Sequence, residues 1–231
     1  MARDRVDNVT RAILRRWALG VVVTAAALVV ALALISANGG NSSSSADRAS
    51  IAVGGLPQAA AVLGRPDAPI EIVEFADLQC PFCRQASVDV VPDVVERWVR
   101  PGTARLRFVA LSFIGPDSVR GARAAVAAGT QHMLWPFIDR VYARQGAENS
   151  GWLSDRAVDD IARQLGLDLA RFDAERTATS GADALQLAST EARQAGVQST
   201  PSFVINGPRE TRLLVGVPTP ADVAAAIEVV R

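Results

Sequence analysis

Pro69-Ile70-Glu71-Ile72-Val73-Glu74-Phe75-Ala76-Asp77-Leu78-Gln79-Cys80-Pro81-Phe82-Cys83 decides how this chain is read. Its first part is β-branched and bounded by proline, which specifies a strand at 70–76. After it, Val88, Val91, Val94, Val95, Trp98 and Val99 recur at helical spacing, so a helix is expected from Pro81 to about Arg100, kinked at Pro92. Between the two lie both cysteines of the 231-residue chain, as Cys80-Pro81-Phe82-Cys83. Cys80 is placed at the N-cap and Pro81 at the first helical position, where a missing N–H costs nothing.

That position favours a reactive sulfur. First-turn amides have no intrahelical acceptor, and the helix dipole puts partial positive charge there. Both stabilise a thiolate, so the pKa of Cys80 is expected below the free value of about 8.5. Cys83, one turn on, can attack a mixed disulfide formed at Cys80. Zinc would need four ligands where the chain offers Cys80, Cys83 and the distant His132. A purely structural disulfide would close a very short loop and stabilise weakly. Thiol–disulfide exchange is the favoured chemistry, with no metal or cofactor expected.

Outward from the motif, Trp17 to Ile35 is a run of 19 residues without a charge. As a helix it would span roughly 28 Å, the thickness of a bilayer core. Arg3, Arg5, Arg11, Arg15 and Arg16 precede it, which orients residues 1–16 to the cytoplasm and the remainder outward. A single transmembrane helix at 17–36 is the expectation; a signal peptide cleaved near Ser44-Ser45-Ala46 is the competing one. Either way the globular part is exported to an oxidising compartment. Residues 37–55, with Ser42 to Ser45, form a flexible linker. All 24 basic residues are arginine, balanced by 24 acidic ones. No basic cluster is interleaved with aromatics outside the tail, so nucleic-acid binding is not expected.

Residues 56–231 suit one domain. A second strand is expected at Leu106–Leu111 after the Pro101-Gly102 turn. Helices fill about 117–195, with N-caps expected at Ser154, Asp168 and Ser180. Strands then return at 202–205 and 212–215 around Asn206-Gly207. Thr219-Pro220-Ala221-Asp222 opens a last helix. Residues 51–67 give no clear assignment. Trp135, Phe137 and Tyr142 are assigned to the core of the helical block and His132 to a helix end.

The chain resembles the DsbA-like thiol:disulfide oxidoreductases, membrane-anchored bacterial members included. The resemblance is carried by Gly64-Arg65-Pro66-Asp67-Ala68-Pro69, by Glu74 to Cys83, by Trp135-Pro136-Phe137 with Gln145 to Gly151, and by Ala195 to Gly207. It implies an α/β thioredoxin-like fold with an inserted helical domain. It implies a solvent-facing attacking Cys80 and a buried resolving Cys83. Thr200-Pro201 matches the family's cis-proline loop, which binds substrate backbone; Pro81 and Phe82 would border the same surface. Glu74 stands where the superfamily commonly has a buried acid. Its alternation with Ile70 and Ile72 puts it on an aliphatic strand face, where it would be poorly solvated and able to take the proton of Cys83. Asp77 is a neighbouring candidate for that role. The implied partners are exported proteins with cysteines and a membrane quinone-linked protein that reoxidises the pair.

The Pro-Phe dipeptide departs from the Pro-His of strongly oxidising members. A milder oxidant is expected, with a Cys80 pKa between about 3.5 and about 7. Three functions follow: disulfide donation to exported proteins, reduction or isomerisation by the same pair, and a tethered thioredoxin-fold binding module with an inert disulfide.

Overall fold

The computed structural model describes residues 53–231. The expected transmembrane helix, the basic tail and most of the linker lie outside the described residues. Within them, no helix is long and apolar enough to cross a membrane.

A six-stranded sheet organises the domain: β1 (Gln58–Ala59), β2 (Val62–Leu63), β3 (Ile70–Asp77), β4 (Ala104–Leu111), β5 (Ser202–Asn206) and β6 (Thr211–Val215). Their spatial order is β1-β2-β4-β3-β5-β6. β3 is central. It runs parallel to β4, with Glu74 opposite Phe108, and antiparallel to β5, with Glu74 opposite Phe203. Parallel neighbours need a crossover, here α1 (Pro81–Asp89), α2 (Val91–Val94) and a π-helical turn at Val95–Val99. The expected single helix is thus broken at Val90, where Pro92 cannot donate into the ladder.

Five helices separate β4 from β5: α3 (Pro116–Thr130), α4 (Leu134–Ala143), α5 (Asp155–Gln164), α6 (Leu169–Thr177) and α7 (Thr179–Gln194). Ser154 and Asp168 cap α5 and α6 by accepting the amides of Ala157 and Arg171. Ser180 does not cap α7. The N-cap is Ala178, whose own amide still bonds to Ala174. A one-residue break between α6 and α7 leaves Ser180 inside the first turn. The last helix, α8 (Pro220–Val230), carries the expected capping box of Thr219 and Asp222. The hairpin loop after Asn206 closes with the Gly207 amide on the Glu210 carbonyl, 3.1 Å.

Period-two alternation divides β3 between two cores. Val73 and Phe75 join Val109, Val204 and Ala192 on one face. Ile70, Ile72 and Ala76 join Cys83, Trp135, Phe137, Tyr142 and Ile227 on the other. Trp135, Phe137 and Tyr142 are core residues, as expected. The unassigned stretch before residue 67 supplies β1 and β2, which extend the sheet beyond β4 through Val62 and Leu63. Two-residue strands are too short to leave an alternation in the sequence.

Candidate functional site

The site forms where β3 ends and α1 begins. Cys80 is the N-cap of α1 in extended conformation (φ −71°, ψ 121°), followed by Pro81 in the first turn. Its carbonyl accepts the amides of Cys83 and Arg84 at 3.1 and 3.2 Å. The Thr200–Pro201 peptide is cis, and the Thr200 carbonyl lies 3.5 Å from Cys80 Sγ. Two stretches 120 residues apart therefore meet at one sulfur.

Both cysteines are free thiols. Cys83 is fully buried, and Cys80 is only 6% exposed. Cys80 is thus less open than the resemblance implied, because the Thr200 side of the loop lies against its sulfur. The outward-facing members of the motif are Pro81 and Phe82, the latter 61% exposed. Pro201 is buried, and its carbonyl accepts the Gly216 amide at 2.9 Å.

The two thiols are electrostatically unlike. Cys80 is lowered to about 6, chiefly because the Cys83 thiol donates to its sulfur, with help from the Cys83 and Phe82 amides and the Thr200 side chain. Burial opposes this, and the donors prevail. Cys83 moves the other way, raised by burial first and by its role as donor to Cys80 second. Helix-start amides, expected to act on Cys80, are present but contribute less than the partner thiol.

Glu74, on β3 six residues before Cys80, is 1% exposed. Its Oε1 has no hydrogen-bond partner among the described residues. Burial raises its pKa to about 8, and the charge of Asp139 adds to the shift. Asp77 differs. Its Oδ1 accepts from the Gln79 amide (2.9 Å) and the Ser118 hydroxyl (2.7 Å), and its Oδ2 from the amides of Phe113 (2.8 Å) and Ile114 (3.2 Å). Four donors hold this carboxylate in place, so it anchors loops and is badly suited to the proton role the sequence left open for it.

Asp77 belongs to a polar network that the sequence reading missed. Gln79 donates to Ser118 at 2.9 Å and accepts the Asn149 amide at 2.6 Å. Gln145 donates to the carbonyls of Leu78 and Cys80 at 3.0 and 3.1 Å. These bonds hold the Leu78–Cys80 turn from the side of the helical block and fix the backbone of Cys80. The available signal was the run of polar residues, Asp77 and Gln79, directly between a buried strand and the cysteine motif. Asp77→Ala is expected to leave the buried Gln79 amide, the buried Ser118 hydroxyl and the part-buried amides of Phe113 and Ile114 without their acceptor, destabilising the fold by about 2–4 kcal/mol in urea denaturation. A loss under about 1 kcal/mol would contradict the anchoring role.

Among the described residues no cluster of His, Cys, Asp and Glu could hold a metal ion. The two thiols suit sulfur chemistry: a stabilised thiolate at Cys80 and a proton-holding thiol one turn away.

Comparison with known proteins agrees. The Thioredoxin_4 family, described as thioredoxin, matches residues 58–228. The chain is 32% identical to the probable disulfide bond formation protein D of Bacillus anthracis over 149 residues, 63% of this chain and 69% of that protein. It resembles the crystal structure of a thioredoxin-like oxidoreductase from Silicibacter pomeroyi DSS-3, with 28% identity, a TM-score of 0.60, and 72% and 89% of the two chains covered. The fold also matches that of oxidised BdbD from Bacillus subtilis, with a TM-score of 0.66 at 21% identity over 75% and 95% of the chains. With the cysteine pair at the helix start, these likenesses settle the family: the chain belongs to the thioredoxin family and is a DsbA-like disulfide oxidoreductase.

Proposed function

We propose that the protein donates the Cys80–Cys83 disulfide to exported proteins, from an extracytoplasmic domain held to the membrane by its own N-terminal helix. The observation that carries this reading is the placement of Cys80 at the N-cap of α1, its sulfur 3.5 Å from the Thr200 carbonyl and its partner Cys83 buried one turn on; the unequal acidity of the two thiols, Cys80 lowered to about 6 and Cys83 raised, accords with it. A substrate thiolate attacks Cys80 Sγ of the disulfide; the S–S bond breaks and its electrons remain on Cys83 Sγ, which takes up a proton. A second substrate thiolate then attacks the substrate sulfur of the mixed disulfide, and Cys80 departs as a stabilised anion. Glu74 is the proton donor and acceptor for Cys83, supported by its burial on the strand that leads into the cysteine motif. Phe82, Pro81 and Thr200 border the surface on which substrate backbone lies beside Pro201. Two electrons stay on the enzyme after each turnover, and a membrane quinone-linked protein removes them.

Thiolate stability supports the donating direction. A sulfur held as an anion favours the reduced enzyme and makes its disulfide oxidising. A Cys80 value of about 6 lies between the roughly 3.5 of the strong oxidant DsbA and the roughly 7 of thioredoxin. The reduction potential is therefore expected between about −270 and about −120 mV. A value at or below thioredoxin's would reverse the flow and make the protein a reductase.

Cys83→Ala supplies the direct test. With the resolving sulfur removed, mixed disulfides through Cys80 should accumulate on exported proteins and be released by reductant. Their absence, in cells whose exported proteins carry cysteines, would refute protein substrates.

A further inference from the structure

Within the helical block, α3, α5 and α6 line an open cavity of about 380 Å³, and none of its residues belongs to the cysteine site. Three arginines line it, Arg120 and Arg123 from α3 and Arg176 from α6, against one carboxylate, Asp155 at the start of α5. Arg120 and Arg176 are held in place. Asp155 Oδ1 accepts from Arg120 Nε at 3.3 Å and from Arg176 Nη1 at 2.8 Å. Asp117 accepts from Arg120 at 2.8 Å, and Asp159 and Asp173 take Arg176 at 3.4 and 2.8 Å. Arg123 differs. It is partly buried, and a Cβ at Gly181 of α7 would touch its stem at 3.7 Å. Its guanidinium makes no hydrogen bond or ion pair among the described residues, and its Nε is buried without an acceptor, as is that of Arg176. A cation drawn out of water without a counter-charge is costly. The cavity therefore offers an unmatched positive charge beside two others already fixed in position.

We propose that this cavity binds a phosphate group, with Arg123 as the anchoring cation and Arg120 and Arg176 completing the seat. Charge selects the ligand class. Asp117, Asp159 and Asp173 hold their arginines from outside the wall, which itself carries three guanidinium groups and one carboxylate. A carboxylate ligand would cancel only part of that excess, whereas a phosphate monoester carries about 1.5 to 2 negative charges at neutral pH. The planar guanidinium fork also matches phosphate oxygens in pairs. Asp155 marks where an oxyanion sits. One of its oxygens bridges Arg120 and Arg176, so those two groups already stand at the spacing of a shared acceptor. Its side chain is 63% exposed, and by turning to water it yields the place between the arginines to the ligand. The volume is roughly twelve times the share of a water molecule in the liquid, about 30 Å³, so the phosphate enters with an organic group attached. Pro116 and Val119 give that group an apolar wall. A soluble phosphomonoester and a phospholipid headgroup present the same chemistry.

The test titrates the full chain, in micelles of an uncharged detergent, by calorimetry at pH 7.5. One arm uses inorganic phosphate and glycerol 3-phosphate; the other mixes phosphatidic acid into the micelles, with phosphatidylcholine as the blank. Saturable binding is expected in at least one arm. Binding of the soluble phosphates assigns a free phosphomonoester, and binding confined to phosphatidic acid assigns the lipid headgroup. Arg123→Gln should weaken that binding about tenfold or more, the loss of a charged, paired contact. Asp155→Asn should tighten it, because the competing carboxylate is gone. Arg156→Gln removes a neighbouring arginine that is 92% exposed and outside the cavity, and should leave the affinity as it was. All three variants should keep the wild-type rate of thiol exchange, which shows that each is folded. No saturable binding in either arm would overturn the proposal. Equal affinities in wild type and R123Q, or equal weakening by R123Q and R156Q, would overturn it too, as would weaker binding in D155N.

Discussion

Replacing Cys80 with Ala is expected to abolish disulfide exchange, a fall on the order of 10⁴-fold or more, while Cys83→Ala still reacts once and stops. The difference lies in which sulfur can begin the chemistry. Cys83 is fully buried and its pKa is raised, so at neutral pH it is neither accessible nor anionic. Cys80 keeps a small opening and a pKa lowered to about 6, so at pH 7 about nine-tenths of it is thiolate. The reduced wild-type enzyme should accordingly be alkylated at Cys80 by iodoacetamide with a midpoint near pH 6. The rate above that midpoint will be modest, because a thiolate of low pKa is a weaker nucleophile. What the low pKa supplies is a leaving group: the mixed disulfide breaks toward Cys80. A midpoint at or above 8.5 would remove the electrostatic basis of the oxidising direction. Residual exchange in Cys80→Ala at more than a hundredth of the wild-type rate would show that Cys83 can initiate.

The parts of this site that the sequence announced are those with a short-range signal. The helix start at Cys80-Pro81 follows from local chemistry, and Ser154, Asp168 and Thr219 cap helices because an N-cap bond spans three residues. Alternation along β3 placed Glu74 on the aliphatic face correctly. The meeting of Thr200 with Cys80 was legible only through resemblance, since nothing local to either segment encodes a contact across 120 residues. Asp139 was missed for the same reason. Within α4 it is one polar residue in an apolar turn, and its effect on Glu74 appears only when α4 packs against the sheet. Gln145 and Asn149 were noticed as family-like residues, yet their task of holding the Cys80 turn depends on loop geometry. Ser180 shows the reverse failure: a good capping residue is overridden because α6 and α7 are joined too closely for it to stand outside the helix.

The second large effect concerns stability. Glu74→Gln is expected to stabilise the fold at pH 8 by on the order of 2–4 kcal/mol and to change it little at pH 4.5. Glu74 ionises near 4.5 when solvated and near 8 in the fold. Between those values the native state holds a proton that the unfolded chain has already released. Stability is therefore fully present below about pH 4.5 and is lost progressively as pH rises toward 8. Asp139, raised from 3.8 to about 7 by burial, loses stability in the same direction over a slightly lower window. Glutamine keeps the shape and cannot ionise, so the loss should not occur. For a domain of this size the gain corresponds to a melting temperature higher by roughly 5–15 °C at pH 8. Cys80 opposes this trend in the reduced protein, since its lowered pKa stabilises the fold as pH rises from about 6 toward 9. Taking the difference between variant and wild type at each pH cancels that contribution, provided both are fully reduced. A variant less stable than wild type at pH 8 would mean that Glu74 is ionised and favourably held in the fold, and it could not then serve Cys83 as a neutral acid.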